Sequence, residues 1–365
     1  MSIELIISLV KANIVLAVLL TNTILLIWFE RKVVAGMQSR VGPDRAGPFG
    51  ILQTLADAIK LLLKEQILPS KADRAMYLLA PLIALVPSFL IFMIIPLGPD
   101  ITVEWQNALY TIPLVGADLN VGVLYFLALS SIAVYSVVLA GWSSGSKYPL
   151  LGGVRASAQM ISYEAAMGLA LVPVILYSGS LSLVDIVNSQ SGNLSSSIPI
   201  LNTIVSFIPK WNIFPQFVAF GIFFIAAVAE VNRAPFDLVE AEQELVGGFH
   251  TEYSGFRFAM FFLAEYINMF NMCAITATFF LGGWLGPTFE GILPPIFSVI
   301  MPIIWLGVKT FLLLFVFVWI RATLPRLRYD QLMELGWKRM IPLSLVWLIL
   351  SAIVLGLREF GIPWS

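Results

Sequence analysis

Long apolar runs, bounded by glycine, proline or charged residues, recur along the chain. Most have the roughly 20 residues that a helix needs to cross the hydrocarbon core of a bilayer. Their number predicts eight transmembrane helices joined by loops of unequal length. The predicted spans run from about Ile6 to Phe29, Met76 to Pro96, Val121 to Trp142, Ala158 to Tyr177, Pro215 to Val231, Phe258 to Trp284, Pro295 to Ile320 and Pro342 to Leu357.

The composition agrees with a membrane location. Hydrophobic residues make up 59% of the chain and charged residues only 12%, whereas soluble domains average about 25% charged residues. The first apolar run lacks the basic segment and the small-residue cleavage site of a signal peptide, so we expect it to be a retained span. We predict an all-α polytopic membrane protein with a single integral membrane domain over residues 1–365.

Basic residues are distributed unevenly among the loops. The odd-numbered loops carry seventeen lysines and arginines, and the even-numbered loops between spans carry one. Because basic residues near span ends resist translocation, the odd-numbered loops are predicted to be cytoplasmic. With eight spans, both termini then lie on the outer, periplasmic side. Residues 98–117, 189–212 and 286–300 are predicted outer loops, with an interfacial helix near 200–208.

Several classes of function are excluded by charge and motif content. A net charge of -1 with scattered basic residues offers no cationic face to nucleic acid. The chain has one cysteine, Cys273, and one histidine, His250, which cannot by themselves build an iron–sulfur cluster, a zinc site or an internal disulfide. The sequence also lacks a Walker-type or GxGxxG motif. We therefore expect no flavin, iron–sulfur cluster or metal in this chain, and redox chemistry would belong to partner proteins.

The first loop, residues 30–75, contains an amphipathic stretch over residues 49–65. Its polar residues Gln53, Asp57, Lys60 and Lys64 are spaced by four, three and four positions, which places them on one face of a helix. Leucine and isoleucine occupy much of the remaining surface. This pattern predicts a helix that lies at the membrane interface or under a partner protein.

The fifth loop, residues 232–257, is acidic. Pro235 should end the preceding span and open a new helix of about three turns, which the two glycines that follow should close. Asp237, Glu240 and Glu244 would then share one face. The cluster is either an ordinary solvated acidic face or a group of crowded carboxylates that hold protons near neutral pH.

Charged residues also occur inside the apolar runs. They are Lys11, Glu164, Glu230, Glu265 and Lys309. A charge at the middle of a bilayer costs about 2.5 to 3.5 kcal/mol on insertion scales. These residues therefore suggest a proton or ion pathway in which carboxylates and lysines pair across the bundle interior, although Lys11 is placed to snorkel to the surface.

Four stretches of the chain carry long motifs that resemble one family. The resemblance is to the H subunit of proton-translocating NADH:quinone oxidoreductase, respiratory complex I, and it covers the chain from about Glu30 to Trp337. The motifs are ERKVVAGMQSRVGPDRAGPFG with LADAIK at residues 30–50 and 55–60, KYPLLGGVRASAQMISYE at 147–164, EVNRAPFDLVEAEQELVGGFHTEY at 230–253, and WIRATLPRLRYDQ at 319–331.

The resemblance implies a subunit at the junction of the membrane arm and the peripheral arm. Such a subunit forms the entry and chamber for quinone, either ubiquinone or menaquinone, and links quinone reduction to proton translocation. Some members have a carboxylate in the third span, whereas this chain has Ser130 and Ser131 there. Carried over by motif, the quinone chamber involves Glu30, Arg31, Asp57, Lys60 and Arg233, and the proton path involves Glu164, Glu230, Glu265, Asp237, Glu240, Glu242 and Glu244.

The resemblance also implies partners and a location. Peripheral-arm quinone-module and iron–sulfur subunits would dock on the cytoplasmic loops, and small membrane-arm subunits would lie alongside in a bacterial plasma membrane. Two alternatives remain open. One is the homologous membrane subunit of an ion-translocating hydrogenase or formate hydrogenlyase, and the other is a stand-alone secondary transporter. Co-purification separates them, because only a transporter would purify without iron–sulfur partners.

Overall fold

The computed structural model describes residues 3–105, 108–193, 209–237, 246–287 and 296–359. Most of the described chain is α-helical, as predicted. One antiparallel hairpin joins strands β1 (Ile101–Trp105) and β2 (Ala108–Ile112). The helices are α1 (Ile3–Met37), α2 (Gln53–Leu63), α3 (Arg74–Met93), α4 (Gly122–Ser143), α5 (Lys147–Ser178), α6 (Leu183–Ser189), α7 (Phe217–Glu230), α8 (Gly255–Phe280), α9 (Ile296–Thr323), α10 (Tyr329–Glu334) and α11 (Ile341–Glu359).

Among the described residues, seven helical segments are long and apolar enough to cross a membrane. They are α1, α3, α4, α5, α8, α9 and the unit of α10 and α11, which a π-helical turn joins. The fifth predicted span corresponds to α7, which has only 14 residues. At 1.5 Å per residue this helix is about 21 Å long, less than the roughly 30 Å of a hydrocarbon core. Any crossing at this point therefore includes non-helical chain.

Two helices extend beyond the apolar runs that predicted them. Helix α1 continues to Met37, so Glu30 and Arg31 lie on a helix and not in a loop as predicted. Helix α5 begins at Lys147, about three turns before the predicted start of the fourth span. Apolar runs mark the part of a helix that contacts lipid or core. The helix itself continues until the sequence breaks it, which for α1 happens before Gly42-Pro43.

The segment at 98–117, a predicted outer loop, is not simply a loop, because it contains the β1–β2 hairpin. The pairs run from Ile101 opposite Ile112 to Trp105 opposite Ala108. β-Branched and aromatic residues are frequent in both strands and favour extended structure. The interfacial helix expected near 200–208 lies outside the described residues.

The main core lies where α3, α4, α5, α7 and α8 pack together. The outer surface of the bundle is apolar like its core, so polarity alone does not decide which side chains are buried. The largest side chains of the core are fully buried because their shapes fit together. Among them are Phe126, Tyr163, Met167, Leu171, Phe223, Ile267, Phe279 and Phe280.

A second, smaller core fixes the end of the fifth loop against the bundle. The rings of Tyr77 and Tyr253 stack with centroids 4.1 Å apart. The hydroxyl of Tyr77 donates to the carbonyl of Glu252 at 2.7 Å, and that of Tyr253 donates to the carbonyl of Tyr77 at 3.1 Å. Phe249 is buried in the same cluster. This part of the loop is therefore held in place by the bundle itself.

Helices α4 and α5 approach closely at Gly141. A Cβ atom at Gly141 would lie 2.5 Å from the carbonyl oxygen of Pro149, which is backbone and cannot move aside cheaply. We expect Gly141→Ala to lower the free energy of unfolding by about 1–3 kcal/mol, because the helices must separate. The measurement is the thermal unfolding midpoint of the purified protein. Gly307→Ala is the control, since nothing lies within 4 Å of the position its Cβ would take, and an equal loss there would contradict the prediction.

Candidate functional site

Helix α2 packs against α1 and α8 with part of its polar face turned inward. Thr54 is buried, and the carboxylate of Asp57 accepts from Arg31 of α1 at 2.5 Å and from Gln53 at 3.0 Å. Lys60 is exposed. The apolar face points outward, with Leu62 56% exposed. This helix therefore exposes an apolar surface next to the Arg31–Asp57 ion pair, as an interfacial helix does.

A buried ionic cluster lies behind α2, and we call it the Arg233 cluster. It consists of Glu30, Arg233, Glu265 and Arg321, contributed by α1, the turn after α7, α8 and α9. Arg233 is 4% exposed; its Nη1 lies 3.3 Å from Glu30 and its Nε lies 2.8 Å from Glu265. Arg321 forms a second ion pair with Glu30. Two carboxylates are thus balanced by two guanidinium groups, with Glu30 and Arg233 buried and Glu265 and Arg321 partly exposed.

The charge of Arg233 is secured by its surroundings. Burial alone would lower its pKa, but the carboxylates of Glu265 and Glu30 raise the pKa well above its usual value. The guanidinium also lies over the ring of Tyr266, 4.6 Å from the centroid. Arg233 is therefore a fixed cation that holds α1 and α8 together.

Gln159 of α5 holds the turn that carries Arg233. Its Nε2 donates its two hydrogens to the carbonyls of Ala229 and Phe236, each at 2.8 Å, and also lies 3.2 Å from Oδ1 of Asn232. A single fully buried amide thus takes over backbone acceptors where the helix α7 has ended. The sequence motif contained Gln159, but nothing in its spacing indicated this role.

The start of the acidic loop is buried, which overturns the solvated-face interpretation for Asp237. This residue is 4% exposed and pairs with Arg326 at 3.2 Å. Pro235 and Phe236 form a turn and not the first turn of a helix as predicted. The remaining acidic residues of the predicted path, Glu240, Glu242 and Glu244, lie outside the described residues.

A second pair of carboxylates lies deeper in the bundle and is linked through α4. Ser130 donates to Oε1 of Glu230 at 2.6 Å, and the next residue, Ser131, makes a short hydrogen bond to Oε1 of Glu164. Glu230 is 6% exposed, and its Oε2 finds no partner among the described residues. We call Glu164 and Glu230 the serine-linked pair. The two serines stand where some family members have a carboxylate in the third span, and here each of them contacts one of the two carboxylates.

A cavity of about 70 Å³ lies between Glu230 and Glu265. Asn232, His250 and Asn268 also line it, together with aromatic and small apolar residues. One water molecule needs roughly 10–15 Å³ measured in this way, so several fit. The cavity thus places polar groups and room for water between the serine-linked pair and the Arg233 cluster. The sequence indicated Glu230 and Glu265 through the cost of burying charge, but it did not indicate His250.

The lysines inside the spans do not follow the predicted pairing. Nζ of Lys309 donates to the carbonyls of Leu281, Gly283 and Leu285 at 2.6, 2.9 and 2.5 Å. Lys309 therefore caps the carboxyl end of α8 instead of pairing with a carboxylate. Lys11 is half-buried and within electrostatic reach of Asp100. Both lysines lie away from the clusters described above.

Lys309 should therefore matter for stability. We expect Lys309→Met to lower the free energy of unfolding by about 1–3 kcal/mol, because the buried carbonyls lose their donor. The thermal unfolding midpoint of the purified protein measures this. Lys338→Met serves as the control, since Lys338 is exposed and lies 3.6 Å from Glu334; an unchanged midpoint in Lys309→Met would show that water replaces the ammonium without cost.

Comparisons with known proteins identify the family. A family model described as NADH dehydrogenase matches residues 10–352. An H subunit of NADH-quinone oxidoreductase from Koribacter versatilis is 47% identical over 97% of this chain and 98% of its own length. The H subunit from Syntrophobacter fumaroxidans is 51% identical over 92% of each chain, and that from Ralstonia nicotianae is 50% identical over 95% and 91%. The chain therefore belongs to the NADH dehydrogenase family and, within it, to the H subunits of NADH-quinone oxidoreductase, as its motifs predict.

Proposed function

We propose that this subunit lies where the membrane arm meets the peripheral arm, forms the quinone entry and chamber, and links quinone reduction to proton translocation. The observation that carries the proposal is the line of buried ionisable groups that begins beside α2, at Glu30 and Arg233, and ends at Glu164. Buried charges are costly in a membrane bundle and mark ion or proton pathways. The relatives named above are quinone enzymes, which favours this function over a hydrogenase subunit or a transporter.

The quinone end of the proposed path fits the chemistry of its substrate. A quinone combines a long apolar tail with a polar head group. The exposed leucines of α2 supply apolar wall, and Arg31, Asp57, Lys60 and the Arg233 cluster supply polar groups nearby. When bound, quinone accepts two electrons and two protons from its surroundings. The electrons come from partner subunits that carry the flavin and the iron–sulfur clusters, and the chain itself supplies the positioned charges.

The proposed coupling path begins at the quinone chamber. There, reduction of quinone would change the charge next to the polar groups of α2 and the Arg233 cluster. In the proposal, that change alters proton occupancy along the acidic residues 237–244, and then at Glu230, Glu265 and Glu164. The cavity between Glu230 and Glu265 supports a water-filled connection, since it is polar and roomy. Arg233 supports an electrostatic connection, because it contacts both Glu30 and Glu265. Glu164 lines an open groove on the surface of the bundle and would pass the effect to the small membrane-arm subunits.

The topology proposed with this function has eight crossings, with α7 as the short fifth, and both termini outside. The Arg233 cluster supports it. Glu30, Arg233 and Arg321 lie at the predicted cytoplasmic ends of the first, fifth and seventh spans, and the fold brings them together. The basic loops 30–75 and 321–341 and the acidic loop 232–257 would then form a docking surface for the peripheral arm, in a bacterial plasma membrane.

The Arg31–Asp57 pair tests the quinone chamber. We expect Asp57→Asn to raise the KM for quinone about fivefold with little change in kcat, because this partly exposed pair, worth up to about 1 kcal/mol, sets the position of α2. The assay is NADH:quinone reductase activity of the assembled complex in membranes, with the quinone concentration varied.

Asp44→Asn is the matched control. Asp44 lies in the same loop and forms a looser, more exposed pair with Lys32 at 3.6 Å, so its KM should match that of the wild type. If both variants kept the wild-type KM, α2 would have no part in quinone binding. If both raised it equally, the effect would come from the charge of the loop and not from a chamber.

A further inference from the structure

Adjacent serines in the middle of α4 contact carboxylates from two different helices. Consecutive residues on a helix point about 100° apart. Ser130 therefore reaches Glu230 at the end of α7, and Ser131 reaches Glu164 on α5. Neutral hydroxyl groups of one helix thus hold both members of the serine-linked pair.

The two carboxylates border different spaces. Glu230 lines the cavity that also contains Glu265 and His250. Glu164 lines an open groove on the outer surface of the bundle, together with Leu127 and Gly168. Helix α4 provides Leu127 of the groove and both serines, and α5 provides the other residues of the groove, so the two carboxylates are linked where α4 and α5 pack together.

The hydrogen bonds of Ser131 are limited by its single hydroxyl hydrogen. Its Oγ lies 3.0 Å from the carbonyl oxygen of Leu127 and also bonds Oε1 of Glu164. A serine hydroxyl has one hydrogen to donate, and a backbone carbonyl can only accept. If that hydrogen is directed at Leu127, the bond to Glu164 requires a protonated carboxyl that donates to Oγ. If Glu164 is ionised, the hydrogen must turn to the carboxylate.

We propose that Ser131 is a positioning residue whose hydroxyl alternates between two acceptors according to the protonation of Glu164. With Glu164 ionised, Ser131 donates to the carboxylate. With Glu164 protonated, the carboxyl donates to Ser131 and the serine hydrogen turns to the carbonyl of Leu127. The serine keeps its own hydrogen in both states, so the proton that Glu164 gains or loses never resides on Ser131.

Such a hydroxyl lets Glu164 change charge without leaving either form unpartnered. Within the described chain, Ser130 has only a carboxylate as side-chain partner, so it holds Glu230 in place without this alternation. The inference rests on the proposed proton path through Glu230 and Glu164, and it adds the group that allows the second carboxylate to load and release its proton.

The test compares Ser131→Ala, Ser131→Thr and Ser88→Ala in the assembled complex. Ser88 is the matched control, because it is a buried serine of α3 that donates to the carbonyl of Ala84 four residues earlier at 2.9 Å. We expect Ser131→Ala to slow NADH-driven proton uptake into vesicles about tenfold, since the bond to a charged group is lost. Ser131→Thr should restore most of the rate, and Ser88→Ala should leave it unchanged.

Infrared difference spectroscopy provides a measurement that would not change in the Ser131 variants if the role of Ser131 were purely structural. The carbonyl band of protonated Glu164, identified by its disappearance in Glu164→Gln, should shift in Ser131→Ala and return in Ser131→Thr. An unshifted band together with normal proton uptake in Ser131→Ala overturns the proposal. If Glu164→Gln itself pumps normally, the proton path is wrong. If Glu164→Gln fails while Ser131→Ala pumps normally with an unshifted band, only the role of Ser131 is wrong.

Discussion

Replacing Glu230 by glutamine is expected to reduce NADH-driven proton uptake to less than about a tenth of the wild-type rate. Loss of one positioned acid–base group typically costs 10²- to 10⁴-fold in a proton-transfer step. Glutamine keeps the shape of the side chain and an oxygen for Ser130 to donate to, but it cannot take up or release a proton. The assay is proton uptake by inverted membrane vesicles, with quinone reduction followed in parallel.

The position of Glu230 explains why so small a change should matter. One carboxylate oxygen is held by Ser130, the other has no partner among the described residues, and the residue lines the cavity. Glu334→Gln is the matched control, since Glu334 is an exposed carboxylate that pairs loosely with Lys338 at 3.6 Å. Normal proton uptake in assembled Glu230→Gln would remove this residue from the path, although the family assignment would stand.

Arg233→Gln should give the largest loss of stability. It leaves Glu30 with Arg321 alone and removes the ion pair of Glu265 seen in the structure. Removing one partner of a buried ion pair costs about 3–5 kcal/mol, and here the carboxylate of Glu30, which is 4% exposed, loses one of its two cations. We expect little or no assembled complex in membranes, as measured by native gel electrophoresis and by NADH:quinone reductase activity.

A second substitution distinguishes this charge effect from a general packing defect. In Arg233→Gln with Glu265→Gln, the charge of the cluster is balanced again, so assembly should recover substantially even though activity does not. Arg358→Gln is the control, because Arg358 is exposed near the end of α11, outside the Arg233 cluster and the proposed docking loops, and its loss should not affect assembly. If the double variant assembled no better than Arg233→Gln, the role of Arg233 would be to fill space.

Hydropathy predicts the long spans of this chain well, and it fails where side chains replace helical hydrogen bonds. The apolar run from Pro215 predicts an ordinary span, yet α7 has 14 residues. Before α7, Ile213 donates its backbone N–H to the carbonyl of Phe280, and Asn212 donates from its side chain to that of Phe279. Such bonds join residues far apart in sequence, so no local period reports them.

The candidate site could likewise be predicted from the sequence only in part. Glu164, Glu230 and Glu265 stand out in the sequence because an acid in an apolar run is costly. Serine costs little in the same place, so Ser130 and Ser131 gave no signal of their own. The partner of Glu30 could not be predicted either, since Arg233 is 203 residues away. Motif resemblance included both residues, but only the fold shows that they pair.

The short helix α7 has a consequence for how the chain is assembled in the membrane. Non-helical backbone is tolerated at membrane depth only where protein surrounds it. Gln159 of α5 donates to one carbonyl in the last turn of α7 and one beyond it, and carbonyls at the end of α8 accept from the chain before α7. Since α8 is synthesised after α7, the fifth segment cannot reach its final state as it leaves the ribosome. Its hydrogen bonds to the end of α8 form only after α8 has been inserted beside it.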